Sequence, residues 1–387
     1  INTLANKKTG EYASLFSYLV YWVMKMLMAS DKEQLVSASA AKDNQKYYCP
    51  ICKEELILKR GNINAPHFAH FKNSQCVIAM EDGESNEHLM GKEQLLNFID
   101  KRNTHVEKYL SEINQRPDLM YQKLAFEFQC SPISRKRLAE RIAGYHKLHM
   151  KSLWILGSNY RKRFGSDSVN KFYYYIDSIG FTIFFWLVNE RKIEMRYNCQ
   201  YVGGKIRYQR ITFARLDELL RFIHNPGTIV KYKSSMHDVI SQLTRIENQL
   251  FYRNKQMLKW QNVCYNQHHN MSGSPIICDI KQVTSPIMGK NFLIWKILIV
   301  ASIKERVKLR DVFKFANQMV GLQTNYPLVH NATQYIKDEF KLLIMQLITK
   351  RKIQIKNGRV HIIDEIKWFD DYYQKLNELS TQNNTIF

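Results

Sequence analysis

Cysteine is scarce in this chain. Seven among 387 residues are too few and too scattered for a disulfide scaffold, and their odd number favours a reducing, cytoplasmic compartment. There is no Walker-type phosphate loop, no dinucleotide fingerprint and no serine nucleophile elbow. ATP-driven and nicotinamide chemistry are therefore disfavoured, and no nucleotide cofactor is expected. No internal repeat or Gly-rich linker interrupts the chain. The N-terminal apolar run, Tyr12–Ala29, contains Ser14, Ser17 and Lys25; it sits at the lower limit for spanning a bilayer and lacks the basic start and small-residue cleavage site of a secretory signal. Residue 1 is Ile, with Met24, Met26 and Met28 as internal starts. Residues 1–25 thus read as an N-terminal extension, with a membrane contact expected only if residues 12–29 belong to the natural protein. Acidic residues are also sparse, 35 Asp+Glu against 57 Lys+Arg, a formal charge of +22. That excess points to a polyanionic partner, nucleic acid first. A hydrophobic content of 45% excludes disorder and suggests two or three domains.

Local patterns give the organisation. Tyr47–Arg60 reads as a Cys-bearing turn followed by a strand, and Gly61-Asn62 as a turn. Ser85 to about Lys101 is helical, with Ser85 as N-cap and Leu89, Leu96 and Ile99 on one face. Asp118–Gln122 and Leu124–Cys130 form an antiparallel hairpin with a minimal connection. Ser134 to about Met150 is an amphipathic helix with Leu138, Ile142, Tyr145 and His149 on one stripe, leading into the buried strand Ser152–Leu156. A helix between two strands is the crossover that joins parallel strands, so the core is α/β with a mixed sheet. Further strands fall at Phe181–Val188 and Ile193–Tyr197, and from about Arg215 the pattern is mostly helical.

A small metal module is the first chemical signal. Cys49-Pro-Ile-Cys52 is followed by His67-Phe-Ala-His70, and two such pairs can complete a tetrahedral zinc site, structural rather than catalytic. The histidine spacing is short. If Pro66 opens a short helix, His67 and His70 lie at i and i+3 and converge; Cys76 can replace either histidine.

Carboxylates on the hairpin are the second. Asp118 and Glu127 fall on adjacent strands, and Glu127 and Gln129, two apart, share a face. Two such carboxylates can hold one Mg²⁺ or Mn²⁺ for phosphodiester chemistry. Glu127 lies in a run too apolar for an exposed strand, and a buried carboxylate needs a metal, a partner or a raised pKa. Upstream, Glu84 and His88 are four apart with Lys92 four beyond; with Ser85 as cap, Glu84 lies outside the helix and Glu87 is the alternative acid.

The order helix, acidic hairpin, basic helix, strand is that of a metal-dependent nuclease of the PD-(D/E)XK type. The runs YYCPICKEELILKRGNINAPHFAH, ESNEHLMGK, RPDLM, AFEFQCSPIS and SLWIL, with WQNVCYNQHHN from Trp260 to Asn270, together resemble the competence protein CoiA family over roughly Met26 to Cys278. The resemblance implies a zinc-finger-like N-terminal domain (26–80), a PD-(D/E)XK restriction-endonuclease-like domain (81–200) and a mostly helical C-terminal domain (201–387). It also implies a role in natural transformation, in processing or recombining single-stranded DNA after uptake, with recombination intermediates and other recombination proteins as partners. By motif, Asp118 takes the PD position, Glu127 and Gln129 the (D/E)XK position, and Glu84, Ser85 and His88 the family's Glu-Ser-x-x-His segment. Gln129 replaces the lysine of the wider superfamily; an amide can orient a water but lends no positive charge to a transition state. A zinc-stapled DNA-binding recombination mediator without catalysis is the alternative.

From Ser131 to Asn170, nine Lys/Arg stand against Glu140 and Asp167. Arg135, Lys136, Arg137, Arg141, Lys147, Arg161, Lys162 and Arg163 are the candidates for holding a phosphate backbone. The aromatic runs Tyr173–Tyr175 and Phe184–Trp186 read as core rather than base-stacking platforms, and Cys264, His268, His269 and Cys278 as structural.

Overall fold

The computed structural model describes residues 25–31, 34–50, 52–61, 66–71, 74, 76, 85–99, 101–280 and 282–381. The chain divides into two compact units. The first comprises Ile1–Ser131, Ala143–Gly157 and Trp186–Arg191; the second comprises Pro132–Ile142, Ser158–Phe185 and Lys192–Phe387.

The first unit begins with a small antiparallel sheet of β1 (Lys25–Met26), β2 (Met28–Asp31), β3 (Gln34–Ser37), β4 (Tyr47–Tyr48), β5 (Glu55–Lys59) and β6 (His67–His70), in the order β1-β6-β5-β4-β2-β3. Its core is small: Met26, Ala29, Tyr47, Leu56 and Phe68, with Cys49 and Cys76, are buried together. So few apolar side chains give a unit this size little stability of its own. Most of the N-terminal apolar run lies outside the described residues, whereas Met26 and Ala29 are sheet core.

Helix α1 (Asn86–Ile99) follows. The Ser85 hydroxyl accepts the His88 N–H at 3.2 Å, the N-cap that the sequence predicts. The buried stripe is Leu89, Lys92, Leu95 and Phe98, one register away from the expected Leu96 and Ile99. The sequence reading places apolar residues inward, but the structure puts a lysine there. Strands β7 (Thr104–Val106), β8 (Leu119–Tyr121) and β9 (Leu124–Gln129) form an antiparallel meander, with Leu119 opposite Phe126. Helix α2 (Arg135–Lys147) leads to β10 (Lys151–Leu156), which pairs parallel to β9 with Trp154 opposite Glu127. Gly91 lets α1 approach β9, since a Cβ there would collide with the Phe128 ring. On α2, Leu138, Ile142 and Tyr145 are buried, but the helix ends at Lys147 and His149 is exposed at φ 53, off the expected stripe.

In the second unit, short helices α3 (Ser158–Lys162) and α4 (Asp167–Asn170) precede β11 (Tyr174–Ile176), β12 (Gly180–Leu187), β13 (Lys192–Val202) and β14 (Lys205–Phe213). Gly203 and Gly204, at φ 56 and 74, close the β13–β14 hairpin, as a two-residue turn with both central φ positive requires. Strand β13 is longer than expected. β14 escaped the sequence reading because its Lys, Arg and Gln residues mask the alternation. Phe184, Phe185 and Trp186 are buried, as expected of core. The helical remainder comprises α5 (Leu216–His224), α6 (Met236–Phe251), α7 (Lys255–Tyr265), α8 (Phe292–Ala301), α9 (Leu309–Val320), α10 (Ala332–Thr349) and α11 (Tyr372–Thr381). It also holds β15 (Val283–Thr284), paired with β13, and the hairpin of β16 (Ile353–Lys356) and β17 (Arg359–Ile362). Helix α8 is buried all round. Lys375 on α11 is fully buried, 2.9 Å from Asp279 and donating to the Ser274 hydroxyl at 2.8 Å. No helix among the described residues is long and apolar enough to cross a membrane.

Candidate functional site

A cluster of side chains that could hold a metal ion is assembled at the N-terminal sheet. The chain turns tightly between Cys49 and Cys52: the Cys49 N–H bonds to the Glu54 carbonyl at 2.8 Å, the Lys53 N–H to the Cys49 carbonyl at 3.0 Å, and Lys53 takes φ 63. Cys49, Cys52, His70 and Cys76 bring four ligand atoms within 4.8 Å of one another. His70 Nε2 lies 3.3 Å from Cys52 Sγ, aiming the ring at the thiols. Burial lowers the His70 pKa and keeps the imidazole neutral, as a metal ligand must be. Burial, with the neighbouring thiols, pushes Cys52 up to about 12, and a bound cation would displace that proton. Three thiolates and an imidazole suit zinc, and a closed four-ligand set is structural.

His67 is not a member of this set. Residues 66–70 do not form the short helix that would have brought His67 and His70 together. They form β6, where positions three apart face opposite sides. His70 pairs across from Leu56 and His67 from Lys59. Cys76, the substitute ligand, takes the place.

The second constellation is built on α1 and the hairpin. His88 Nε2 lies 3.2 Å from Asp118 Oδ2, the same oxygen that accepts the Phe128 N–H at 2.7 Å. Lys92 Nζ sits 3.8 Å from Asp118 Oδ1 and donates to Glu107 Oε1 at 2.5 Å; Arg116 lies 3.8 Å from Glu107. The Lys92 side chain is 0% exposed and that of Glu107 5%. Desolvation pushes Asp118 upward, but His88, Lys92 and the Phe128 N–H outweigh it and hold the carboxyl well below the usual range. Glu107 follows the same logic, burial opposed by Lys92 and Arg116, and is also lowered. The two cations and two carboxylates balance, with the His88 ring as a further donor.

Glu127 is 4% exposed and takes a hydrogen bond from the Tyr145 hydroxyl on α2. The buried carboxylate thus has a partner. Asp118, just before β8, engages α1, and Glu127 on β9 engages α2. Gln129 Nε2 donates to the Ser131 carbonyl at 2.7 Å. Glu84 lies outside the described residues. Glu87, the alternative acid, is in the first turn of α1.

Sequence reasoning noticed Lys92 but missed Glu107, Arg116 and Tyr145. Arg116 stands directly before Pro117-Asp118, and Glu107 takes φ 50, a left-handed conformation costing about 1 kcal/mol or more for a residue with a Cβ. Neither signal is visible in periodicity. The basic residues divide. Arg135 donates to the carbonyls of Asn325 and Asp167 and lies over Tyr326; Arg161 chelates Glu194. Arg141 is half-buried, while Lys136, Arg137, Lys147, Lys162 and Arg163 are exposed, with Arg137 3.7 Å from Glu140.

Residues 84–222 match the family model described as "Competence protein CoiA, nuclease-like domain", and residues 29–79 match "Competence protein CoiA, N-terminal domain". Competence protein CoiA of Bacillus subtilis (strain 168) is 38% identical over 138 residues, 33% of this chain and 37% of the relative. The aligned region is therefore well under two thirds of that relative. No solved structure matches the chain significantly. The metal-ligand cluster lies within residues 29–79 and the His88–Lys92–Asp118 constellation within residues 84–222, so that over these two regions, in this order, the chain matches the two domains of the CoiA family.

Proposed function

We propose that the chain is a metal-dependent nuclease of the PD-(D/E)XK type that acts on imported DNA during natural transformation, with a structural zinc in its N-terminal domain. The observation that carries this reading is the grouping of the buried Lys92 with the half-buried His88 and Asp118 at the start of the β8–β9 hairpin, inside the order α1, three antiparallel strands, α2, parallel strand. A hairpin that only faced solvent would have no use for a lysine buried beside its leading carboxylate.

Asp118 is held ionised, and two carboxylates at neighbouring strand positions are the hard oxygen donors that Mg²⁺ or Mn²⁺ takes. Asp118 and Glu127 would hold the ion. When bound, it lowers the pKa of a water and neutralises charge on the attacked phosphate. His88 and the Phe128 N–H fix the Asp118 carboxylate, and Tyr145 fixes Glu127. The Gln129 amide positions water. Lys92 supplies, from α1, the fixed positive charge that an amide at position 129 cannot.

The test is cleavage of labelled single-stranded, duplex and branched DNA in Mg²⁺ or Mn²⁺, by wild type beside Asp118→Ala and Glu127→Ala. Cleavage lost in both variants while binding persists supports the nuclease. Equal, negligible cleavage by all three with binding retained replaces it with the zinc-stapled, non-catalytic DNA-binding mediator, which the engagement of Gln129 with Ser131 would favour.

A further inference from the structure

Glu194 on β13 has a side chain that is 0% exposed, and three arginines surround it. Arg161 Nη2 from α3 lies 2.9 Å from Oε2, with its Nε 3.3 Å from both oxygens. Arg196 Nε donates to Oε1 at 2.7 Å, and Arg210 Nε stands 3.7 Å from Oε2. Among the described residues, three guanidinium groups are thus ranged around one buried carboxylate, with Arg161 and Arg210 on its open side. Arg196 and Arg210 sit directly opposite one another in the β13–β14 register, where like charges repel.

The heads are nevertheless held in place. The Arg196 guanidinium lies over Phe164, Phe185 and Tyr208, 4.4, 4.8 and 4.9 Å from the ring centroids, which fixes its plane and shields it from water. Burial would raise the Glu194 pKa, but Arg161 and Arg196 overcome it, and the anchor stays ionised. The face is open at one side: the Arg161 and Arg210 side chains are 36% and 56% exposed. Tyr208, two residues before Arg210 and on the same face of β14, is 37% exposed.

We propose that this face of β13–β14 is a phosphodiester-binding site for single-stranded DNA, in which Glu194 positions Arg161, Arg196 and Arg210 and the Tyr208 ring stacks a neighbouring base. Three guanidinium groups around one carboxylate make this face positive, their planar forks suit phosphate oxygens, and an exposed ring beside them selects unpaired bases. The inference rests on the reading that the chain meets DNA, and adds a site outside the Asp118 constellation, in the second unit.

The experiment is fluorescence anisotropy with labelled oligothymidylate and a duplex of equal length, across a salt series and without added divalent metal, so that cleavage plays no part. Full-length wild type is compared with Arg210→Gln and Tyr208→Ala, both at exposed positions, with thermal melts as the folding control. Arg210→Gln is expected to weaken single-strand binding and reduce the slope of log affinity against log salt by about 0.7. Tyr208→Ala is expected to weaken single-strand binding about five-fold or more and leave duplex binding in place. If wild type binds and both variants bind alike with unchanged slope, the site is wrong and the nuclease reading stands. If wild type binds neither DNA, the DNA reading itself falls, and this site with it.

Discussion

Two carboxylates in this protein, the half-buried Asp118 and the buried Glu194, are both held ionised by cations, yet their surroundings differ in charge balance. Around Asp118, among the described residues, Lys92 and Arg116 face Glu107 and Asp118 itself, with the His88 ring beside them, and little of the group reaches solvent. Around Glu194, three arginines face one acid, and two of them reach the surface. A balanced group needs nothing further and serves geometry. An unbalanced one retains capacity for a ligand of opposite sign. Burial alone does not separate the two roles; the count of charges within a few ångströms does.

The largest expected effect bears on a site whose balance comes from outside the chain. Cys76→Ser should lower the zinc content of purified protein sharply, whereas His67→Ala should leave it at the wild-type ratio, measured by elemental analysis. Structural zinc contributes about 10 kcal/mol or more to small modules, so the N-terminal sheet of Cys76→Ser should become protease-sensitive. Full zinc in Cys76→Ser would remove that residue from the site.

Lys92→Met comes next. It leaves Asp118 and Glu107 buried with less compensation and should cost about 3–5 kcal/mol in urea unfolding. Arg210→Gln, at the partly exposed edge of the Glu194 group, should cost under about 1 kcal/mol. Equal costs would break the comparison between the two groups.

Acid sharpens the same contrast. The folded pKa of Glu194 lies below its unfolded value, so its stabilisation is full above pH about 4.3 and fades as pH falls through the folded pKa. Glu194→Gln should therefore flatten the loss of melting temperature below pH 5 relative to wild type. The smallest effect is expected from Arg137→Ala: its contact with Glu140 is exposed on both sides, and melting should move by no more than about 0.5 kcal/mol equivalent. An acid profile in which Glu194→Gln tracks wild type would show that the carboxylate is not held by its arginines.

Elements with strong local signals were legible in the sequence. The Ser85 cap, the β8–β9 hairpin, α2 and the parallel return to β10 all follow from spacing and turn chemistry acting over a few residues. The metal site was legible as a Cys-x2-Cys turn, but the choice between His67 and Cys76 was not, because it depends on whether residues 66–70 run as helix or strand. That was decided by pairing with β5. Lys92 on the buried face of α1 defeats periodicity outright, since its compensation by Glu107 and Asp118 comes from strands that the helical pattern cannot see. β14 was hidden for a related reason: Arg210 is aimed at Glu194 on the neighbouring strand, a contact that the alternation cannot show.

Lys375 gives the last helix a weight beyond its length. Lys375 is the ammonium group in contact with Asp279, and burial already pushes that carboxyl upward against Lys375 and the more distant Lys296. Truncation just before position 375 would strand an acid in the interior of the second unit and leave the Ser274 hydroxyl without the Lys375 donor.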